Sequence, residues 1–346
     1  MSELLSVSEL SVEFSTDRGV AQVLDRISLA IGHGEVVGLV GESGCGKTTL
    51  ARTVLGVLPA GGRIRGGAIH WEGRDLLGMD SRIVNDEIRG RAITFIPQDP
   101  WSSLSPLFTV GTQIMDLMKW KSPRRGGAGA RGRWPALVRG YPRARRRADR
   151  EAVLDVLRAV QIPEPERALR RLPHEFSGGQ RQRLMIAMAL LPRPDLIIAD
   201  EPTTALDVTI QAQILRLLRD LVKERGVSVL FTTHDLGTAY ELCDRVVVMY
   251  AGQEMEAAPT DAFFGRPAHP YTRRLLASVP GPEGEIRDIP GEVPSLVAPP
   301  AGCRFHPRCD HATAECRVER PGPRDLADGH SVRCHHPVDA PAGAGT

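Results

Sequence analysis

Residues 41–49 read Gly-Glu-Ser-Gly-Cys-Gly-Lys-Thr-Thr and contain a complete G-x-x-x-x-G-K-[ST] pattern. The apolar run 35–40 precedes this pattern and the apolar stretch 50–58 follows it, so the sequence predicts a strand, a loop and a helix in that order. Glycines in such a loop let backbone N–H groups turn towards phosphate oxygens, and the helix adds the positive end of its dipole. An ordinary glycine-rich turn has no use for lysine and threonine directly after its last glycine. The stretch therefore predicts a nucleotide phosphate site.

Two side chains of this loop have specific predicted roles. We expect Lys47 to reach the β- and γ-phosphates and the Thr48 hydroxyl to be a ligand of Mg²⁺. The fold class that follows is α/β, built on a P-loop NTPase core. The residues predicted to surround the nucleotide phosphates are Gly41, Ser43, Gly44, Cys45, Gly46, Lys47, Thr48 and Thr49.

Length and charge limit the class of protein. The 346 residues suffice for one large domain with an appendage or for two domains. The 44 basic and 42 acidic residues leave a net charge of +2, which gives no reason to expect nucleic acid or an anionic membrane as the main partner. Residues 1–9 lack a basic n-region and an apolar h-region, and no uninterrupted apolar run of about 18 residues occurs. We therefore expect a soluble, cytoplasmic chain.

Apolar periodicity predicts the organisation of the chain. Residues 10–14 and 24–31 alternate like the strands of an antiparallel β part. Helical spacing predicts a mainly helical subdomain over about 105–192. Strands interleaved with helices imply a mainly parallel sheet covered on both faces. The predicted segments are helices 110–119, 148–160, 179–191, 209–225 and 236–242, and strands ending at Val40 and covering 92–95, 196–199, 228–232 and 245–250.

A second chemical feature lies at the end of the predicted strand 196–199, where Asp200 and Glu201 are adjacent. Neighbouring residues at a strand end point to different sides, so the two carboxylates can serve two roles. We expect Asp200 to hold Mg²⁺ and Glu201 to act as the general base on the attacking water. Solvated acids at a strand end are the alternative, and the phosphate loop earlier in the chain favours the catalytic interpretation.

A second anion site is predicted where Ser177, Gly178 and Gly179 precede a helix. The free N–H groups and the dipole at such a helix start both attract phosphate. The alternative for these three residues alone is an ordinary N-cap. Their occurrence together with the phosphate loop favours a role in nucleotide binding.

A basic segment interrupts the helical block. Residues 119–150 contain twelve Lys or Arg residues, one acid, and the aromatic residues Trp120, Trp134 and Tyr141. Such a run can bind nucleic acid or an anionic membrane. We favour a solvated insertion, because 126–132 has too little apolar content to fold.

Taken together, these motifs resemble the ATP-binding cassette (ABC) family of transport ATPases over about residues 1–255. In the terms of that family, 41–48 is similar to Walker A, 176–180 to the signature motif with Phe in place of the usual Leu, and 205–207 to the D-loop. The single residues that match are Gln98 for the Q-loop, Asp200 for Walker B, Glu201 for the catalytic glutamate, Asp207 within the D-loop and His234 for the switch histidine.

The resemblance implies how these parts act. Two cassettes would associate head to tail, so that Ser177, Gly178, Gly179 and Gln180 of one complete the ATP site of the other. Gln98 would sense Mg²⁺ and the γ-phosphate and relay that state to a membrane partner, while His234 would orient the water. The catalytic set is then Glu201, His234, Gln98 and Lys47, and the Mg²⁺ set is Thr48, Gln98 and Asp200. Phe14 is the candidate aromatic that stacks on adenine; a core role is an equal alternative.

Four of the six cysteines crowd into the C-terminal region, at Cys303, Cys309, Cys316 and Cys334. In a cytosolic chain, clustered thiols indicate a metal before disulfides. The spacing lacks the C-x2-C pairs of most structural zinc sites, and four cysteines suit either Zn²⁺ or an iron–sulfur cluster. His335 and His336 are alternative ligands or solvated loop residues. Cys45 and Cys243 are interpreted as plain structural thiols.

From about residue 256, Pro and Gly become frequent and periodicity fades, so 256–346 is predicted to be an irregular C-terminal extension that binds a metal through its cysteines. Within it, 266–272, 289–296 and the cysteine run resemble the C-terminal region of the oligopeptide/dipeptide import ATPases. That subfamily implies a [4Fe–4S] cluster on the four cysteines, two transmembrane permease subunits, a second ATPase subunit and, indirectly, an extracellular solute-binding protein. The implied place is the cytoplasmic face of the cell membrane, as a peripheral subunit. Dipeptides, longer peptides and nickel remain open as solutes, and the ATPase dimer can be homo- or heteromeric. The alternative function is a non-transport ABC ATPase that acts on nucleic acid or the ribosome. For the import function, no nucleic acid is expected as a partner.

Overall fold

The computed structural model describes residues 3–125, 140–203, 206–279 and 288–338. They belong to two compact units. The first unit combines Met1–Leu77 with Leu230–Thr346, and the second is Gly78–Val229. The predicted division into 1–255 and 256–346 is a different one, and it stays a prediction.

The described residues form the following elements. The strands are β1 (Glu3–Thr16), β2 (Gly19–Gly32), β3 (Val36–Val40), β4 (Gly62–Trp71), β5 (Arg74–Asp75), β6 (Ile93–Ile96), β7 (Leu196–Asp200), β8 (Ser228–Thr233), β9 (Arg245–Tyr250), β10 (Gln253–Pro259), β11 (Arg324–Ala327) and β12 (His330–Val332). The α-helices are α1 (Lys47–Val54), α2 (Ser81–Ile83), α3 (Pro100–Ser103), α4 (Val110–Lys121), α5 (Arg143–Ala159), α6 (Pro165–Ala168), α7 (Gly178–Leu190), α8 (Val208–Arg225), α9 (Leu236–Leu242), α10 (Thr260–Gly265), α11 (Pro270–Ala277) and α12 (Ala314–Val318). A π-helix covers Val84–Ile88, and 3₁₀ turns cover Pro123–Arg125, Pro173–Glu175 and His306–Arg308.

The antiparallel part of the first unit has the strand order β2-β1-β4-β5. Its strands β1 and β2 are 14 residues each, longer than the predicted 10–14 and 24–31. Strand β1 buries Leu5 and Val7 and then Leu10 and Val12, and the alternation is broken between these pairs by a register shift between Val7 and Leu10. The sequence missed β4 because 62–67 is rich in glycine and arginine and mostly exposed, so apolar alternation is absent there.

The other strands of the first unit lie in the order β11-β12-β10-β9-β3-β8. Strand β3 pairs in parallel with β9, and all five residues of β3 are buried, as strands covered on both faces require. Strand β10 is antiparallel to β9 and to β12. The C-terminal extension was predicted to be irregular; β11 and β12 add regular structure to it.

The second unit carries the predicted helical block. Helices α4, α5 and α7 lie within a few residues of the predicted 110–119, 148–160 and 179–191. Strands β6 and β7 pair in parallel, with Ile93 opposite Leu196 and Ile96 opposite Ala199. Every residue of β7 is buried, and Asp200 is the last residue of this strand.

Among the described residues no helix has the length and apolar character needed to cross a bilayer. The centre of the basic segment, 126–139, lies outside the described residues, so its predicted solvated character stays a prediction.

Candidate functional site

The phosphate loop connects β3 to α1 in the first unit. Gly41, Gly44 and Gly46 all have positive φ, at 149°, 78° and 107°. A Cβ on Gly41 would lie 2.1 Å from the carbonyl oxygen of Met249, so only glycine fits there. Helix α1 begins without a side-chain cap at Gly46, which leaves its first N–H groups to be satisfied by something other than a capping side chain.

Lys47 is buried at the start of α1, and its ammonium is held by the loop itself. The Nζ atom donates to the carbonyl oxygens of Gly41 at 2.8 Å and Glu42 at 3.3 Å, and lies 3.8 Å from the sulfur of Cys45. Burial raises the pKa of the Cys45 thiol, and the nearby Lys47 charge only partly opposes this. The loop therefore carries a fixed cation beside a neutral thiol. Of its other predicted residues, Ser43 and Gly44 are exposed, while Thr48 and Thr49 are half-buried.

The carboxylate pair lies in the second unit, at the end of β7. Asp200 is the last residue of this strand and only 2% exposed. Glu201 follows with φ of 45°, a left-handed conformation that redirects its side chain away from the strand. Gln98 donates from Nε2 to Oε2 of Glu201 at 2.9 Å. The structure thus brings together two residues that are 103 positions apart and that the sequence assigned to one reaction.

The predicted second anion site is the start of α7. Ser177 caps this helix: its Oγ accepts from the Gln180 N–H at 3.3 Å, and Gln180 Oε1 accepts from the Ser177 N–H at 3.1 Å. Ser177 and Gly178 are exposed, while Phe176 is buried beneath the guanidinium of Arg171 at 4.3 Å. The N-cap interpretation is confirmed as local geometry, and it leaves the exposed helix start open to a ligand.

Asp207, His234 and Phe14 lie on or beside three different elements. Asp207 caps α8, accepting from the Ile210 N–H at 3.0 Å. His234 is exposed between β8 and α9. Phe14 is half-buried on β1, with its ring against Gly62. Ala205 of the predicted D-loop lies outside the described residues.

Cys303, Cys309, Cys316 and Cys334 line one small cavity in the first unit, together with His335 and His336. None of the four is in a disulfide. Burial, together with the smaller effect of neighbouring thiols, raises the pKa of Cys303 to about 11 and of Cys334 to about 12. These groups are therefore protonated at neutral pH, and a metal would have to displace their protons.

The predicted metal site is not formed by these side chains as they stand. In the described ranges no group of three or more His, Cys, Asp or Glu side chains is arranged to hold a metal ion. Cys243 lies apart from this cavity, and burial raises its pKa to about 12, in line with a structural thiol.

Sequence reasoning missed one ion pair at the phosphate loop. Arg308 donates from Nη1 to both carboxylate oxygens of Glu42, at 3.0 and 3.1 Å. The only signal was an arginine directly before Cys309, in a short segment that also holds Arg304 and Phe305.

Comparison with known proteins gives consistent results. Residues 24–204 match the family "ABC transporter", and residues 255–316 match "Oligopeptide/dipeptide transporter, C-terminal region". A probable peptide ABC transporter ATP-binding protein of Sinorhizobium fredii is 45% identical over 336 residues, covering 96% of this chain and 94% of that protein. The dipeptide transport ATP-binding protein DppD of Escherichia coli is 41% identical over 342 residues, covering 97% of both chains. The dimeric post-hydrolysis structure of the ATP-binding cassette MJ0796 with ADP and Pi superposes with a TM-score of 0.60 at 25% identity, covering 74% of this chain and 98% of that one.

Proposed function

The chain belongs to the ABC transporter family of ATP-binding subunits, and from this premise we propose that it is the ATP-hydrolysing subunit of a peptide importer. The observation that carries the ATPase assignment is the 2.9 Å hydrogen bond from Gln98 to Glu201. A general base acts efficiently only when its carboxylate is oriented, and this bond orients the carboxylate of Glu201. The peptide assignment rests on the C-terminal match and on the relatives named for peptide transport.

The roles of the site residues follow from their chemistry. The buried ammonium of Lys47 would exchange its loop carbonyls for phosphate oxygens, supplying counter-charge to the nucleotide. Thr48 and Asp200 are hard oxygen donors of the kind that Mg²⁺ takes, and the ion would neutralise phosphate charge when bound. Glu201 would take the proton of the attacking water, and His234 would help to orient it.

Partners follow from the family. The exposed start of α7 would complete the ATP site of a second cassette, either another copy of this chain or a related one. Two transmembrane permease subunits, fed indirectly by an extracellular solute-binding protein, would be driven from the cytoplasmic face of the membrane. Growth of a cell on imported peptides tests this assignment. A strain lacking this chain should lose growth on peptides as the source of a required amino acid, and regain it with the wild type but not with Lys47→Ala.

Uptake measurements on the same strain distinguish between the possible solutes. Dipeptides and longer peptides are supplied in parallel, and nickel uptake is measured as the third arm. Unimpaired use of every peptide together with lost nickel uptake would replace the peptide assignment by a nickel one. Normal uptake of all three would leave an ATPase without a transport role.

We further propose that the four cysteines hold a [4Fe–4S] cluster. The donor set fits such a group, because four unpaired thiols line one cavity. Four thiols suit either Zn²⁺ or a [4Fe–4S] cluster, and the match of residues 255–316 to the oligopeptide/dipeptide transporter C-terminal region is what favours the cluster here. When bound, the cluster would tie distant parts of the extension together.

The colour and iron content of the purified protein test this proposal. Protein purified without oxygen should be brown, contain about four irons per chain, and bleach in air. Each of Cys303→Ser, Cys309→Ser, Cys316→Ser and Cys334→Ser should remove the colour, while Cys243→Ser, away from the cavity, should keep it. Colourless anaerobic protein with one bound zinc would establish the zinc alternative instead.

A further inference from the structure

Arg308 is a buried arginine that the ATPase motifs leave without a role. It ends the 3₁₀ turn His306–Arg308, directly before Cys309, and its side chain is 5% exposed. Its Nε donates to the carbonyl oxygen of Pro290 and its Nη2 to that of Ile289, both at 2.9 Å. These two bonds go to backbone carbonyls of the same C-terminal extension, 18 and 19 residues earlier in the chain, and they fix the plane of the guanidinium group. The remaining nitrogen, Nη1, is therefore held in a set direction.

That direction leads to the phosphate loop. Nη1 of Arg308 donates to both oxygens of the Glu42 carboxylate, at 3.0 and 3.1 Å, and to the Tyr250 hydroxyl at 3.2 Å. Glu42 is the second residue of the loop, after Gly41. Its backbone is engaged as well, because the Glu42 N–H donates to the hydroxyl of Tyr271 at 3.1 Å.

Glu42 in turn touches the ammonium that is expected to meet the nucleotide. Its carbonyl oxygen accepts from Lys47 Nζ at 3.3 Å and from the Cys45 N–H at 3.3 Å. A residue pinned at its side chain, its N–H and its carbonyl has little freedom to rotate. The position of Glu42 therefore sets the position of the first half of the loop and of the Lys47 ammonium.

We propose that Arg308, contributed by the C-terminal extension, is a positioning residue for the phosphate loop: it holds Glu42, and through Glu42 the loop and Lys47, in the geometry that binds ATP. This inference rests on the proposed ATPase function. It assigns to the segment between Cys303 and Cys309 an indirect part in nucleotide affinity, through a contact between residues 266 positions apart.

If Arg308 and Glu42 acted on ATP only through their charges, the variant Glu42→Gln would change triphosphate affinity in the opposite direction from that expected for positioning. Arg308→Gln leaves a negative Glu42 beside the incoming triphosphate, so both roles predict weaker binding. Glu42→Gln leaves the positive Arg308 without its partner, and a field effect alone would then strengthen triphosphate binding. Positioning predicts weaker binding from this variant too, because the amide no longer makes two charged hydrogen bonds.

The test measures mant-ATP affinity, KM and kcat of the full chain carrying Arg308→Gln, Glu42→Gln or both. Each single variant should weaken mant-ATP binding about tenfold, the loss expected for one charge-assisted hydrogen bond. The double variant should be no weaker than about the worse single one, since both remove the same contact. KM should rise while kcat stays within about twofold, and Arg308→Lys should recover part of the affinity because it keeps the charge but not the fork.

Arg320→Gln is the matched control. Arg320 is a half-buried arginine of the same extension, but it donates to the Asp25 carboxylate at 3.0 Å and to the Asp25 carbonyl at 2.9 Å, not to the phosphate loop. It should lower the melting temperature without changing mant-ATP affinity. Affinity within twofold of the wild type in both Arg308→Gln and Glu42→Gln would reduce Arg308 to a structural role, and tighter binding by Glu42→Gln would replace positioning by a field effect. Unchanged affinity in Lys47→Ala as well would instead overturn the nucleotide site itself.

Discussion

Glu201 adopts a left-handed backbone conformation directly after a fully buried strand, and Gln98 holds its carboxylate. Such a conformation costs a non-glycine residue free energy, so its presence at the predicted general base is consistent with a geometry fixed for reaction. Glu201→Gln is nearly isosteric, and its amide oxygen can still accept from Gln98.

We expect Glu201→Gln to keep mant-ATP affinity and to lower kcat at least about 100-fold, because it removes only the base. Steady-state phosphate release and equilibrium binding measure the two effects. The control is Gln98→Ala, which keeps the base but removes its hydrogen bond and should cost less in kcat. Hydrolysis by Glu201→Gln within threefold of the wild type would contradict the assignment of the base.

At this scale, the residues that the sequence could identify are those in contiguous motifs. The placement of Lys47 at the start of a helix and of Asp200 and Glu201 at a strand end was predictable from local spacing, while their roles stay proposals. The pair of Glu42 and Arg308 was not, because an arginine before Cys309 does not indicate its partner and the two residues lie 266 positions apart. A contact between two charges distant in sequence is decided by tertiary packing.

Helix α7 offers a test of trans action through two adjacent glycines. Among the described residues, a Cβ on Gly178 would meet nothing closer than Cδ2 of Leu206 at 3.9 Å, whereas a Cβ on Gly179 would lie 2.7 Å from Cγ2 of Ile210. Substitution at Gly178 is therefore tolerated by the fold, and substitution at Gly179 is not.

Gly178→Asp should thus keep the wild-type melting temperature and block ATP hydrolysis at the site of the partner cassette, because its carboxylate repels the triphosphate there. Gly179→Ala should lower stability by about 1–3 kcal/mol through overpacking. Mixed dimers with one Gly178→Asp subunit and a Lys47→Ala change in either subunit locate the affected site. If the damage falls on the nucleotide bound by the variant's own phosphate loop, the head-to-tail arrangement is wrong.

The segment that carries Arg304 is anchored through Asp25 on β2. Burial by itself raises the pKa of the Asp25 carboxyl, but the hydrogen bond from Gln253 and the charges of Arg320 and Arg304 outweigh it and lower the pKa below its usual value. The unfolded chain then binds the proton more readily than the folded chain. The stability from this anchor is complete above the unfolded pKa of about 4 and is lost as the pH falls through the folded value.

Asp25→Asn should therefore be less stable than the wild type at pH 7, and the difference in free energy of unfolding should shrink as the pH falls below about 4. Urea unfolding of both proteins from pH 7 to pH 3 measures this difference, so that other carboxylates cancel. A difference that stays constant over this range would show that Asp25 acts only as a neutral hydrogen-bond partner.

For the whole molecule, the sequence predicted the alternation of strands and helices well, because buried strands such as β3 and β7 and amphipathic helices such as α4 and α5 have strong periodicity. It did not anticipate that the C-terminal extension lies in one compact unit with the first 77 residues. Periodicity fades after about residue 256, and the contacts that join these parts are made by single arginines and aromatic rings that leave no periodic signal.

The placement of the extension leads to a prediction about truncation at residue 255. Tyr250 is fully buried against Tyr271, with ring centroids 4.6 Å apart, and against Phe305 at 5.2 Å. Truncation would expose this aromatic core and would also remove Arg308 from Glu42. Strand β10 would be cut in its middle, because it runs from Gln253 to Pro259.

We therefore expect residues 1–255 alone to aggregate on size-exclusion chromatography, or to remain soluble with mant-ATP affinity at least about tenfold below that of the full chain. Burial of three aromatic side chains stabilises a fold by several kcal/mol, and a chain without them has little margin left. Full-chain Arg308→Gln separates the two causes, since it loses the loop contact but keeps the aromatic core. A monomeric 1–255 fragment that unfolds cooperatively and binds mant-ATP like the full chain would instead establish the extension as an independent module. In that case the contact between Arg308 and Glu42 would have no effect on the phosphate loop.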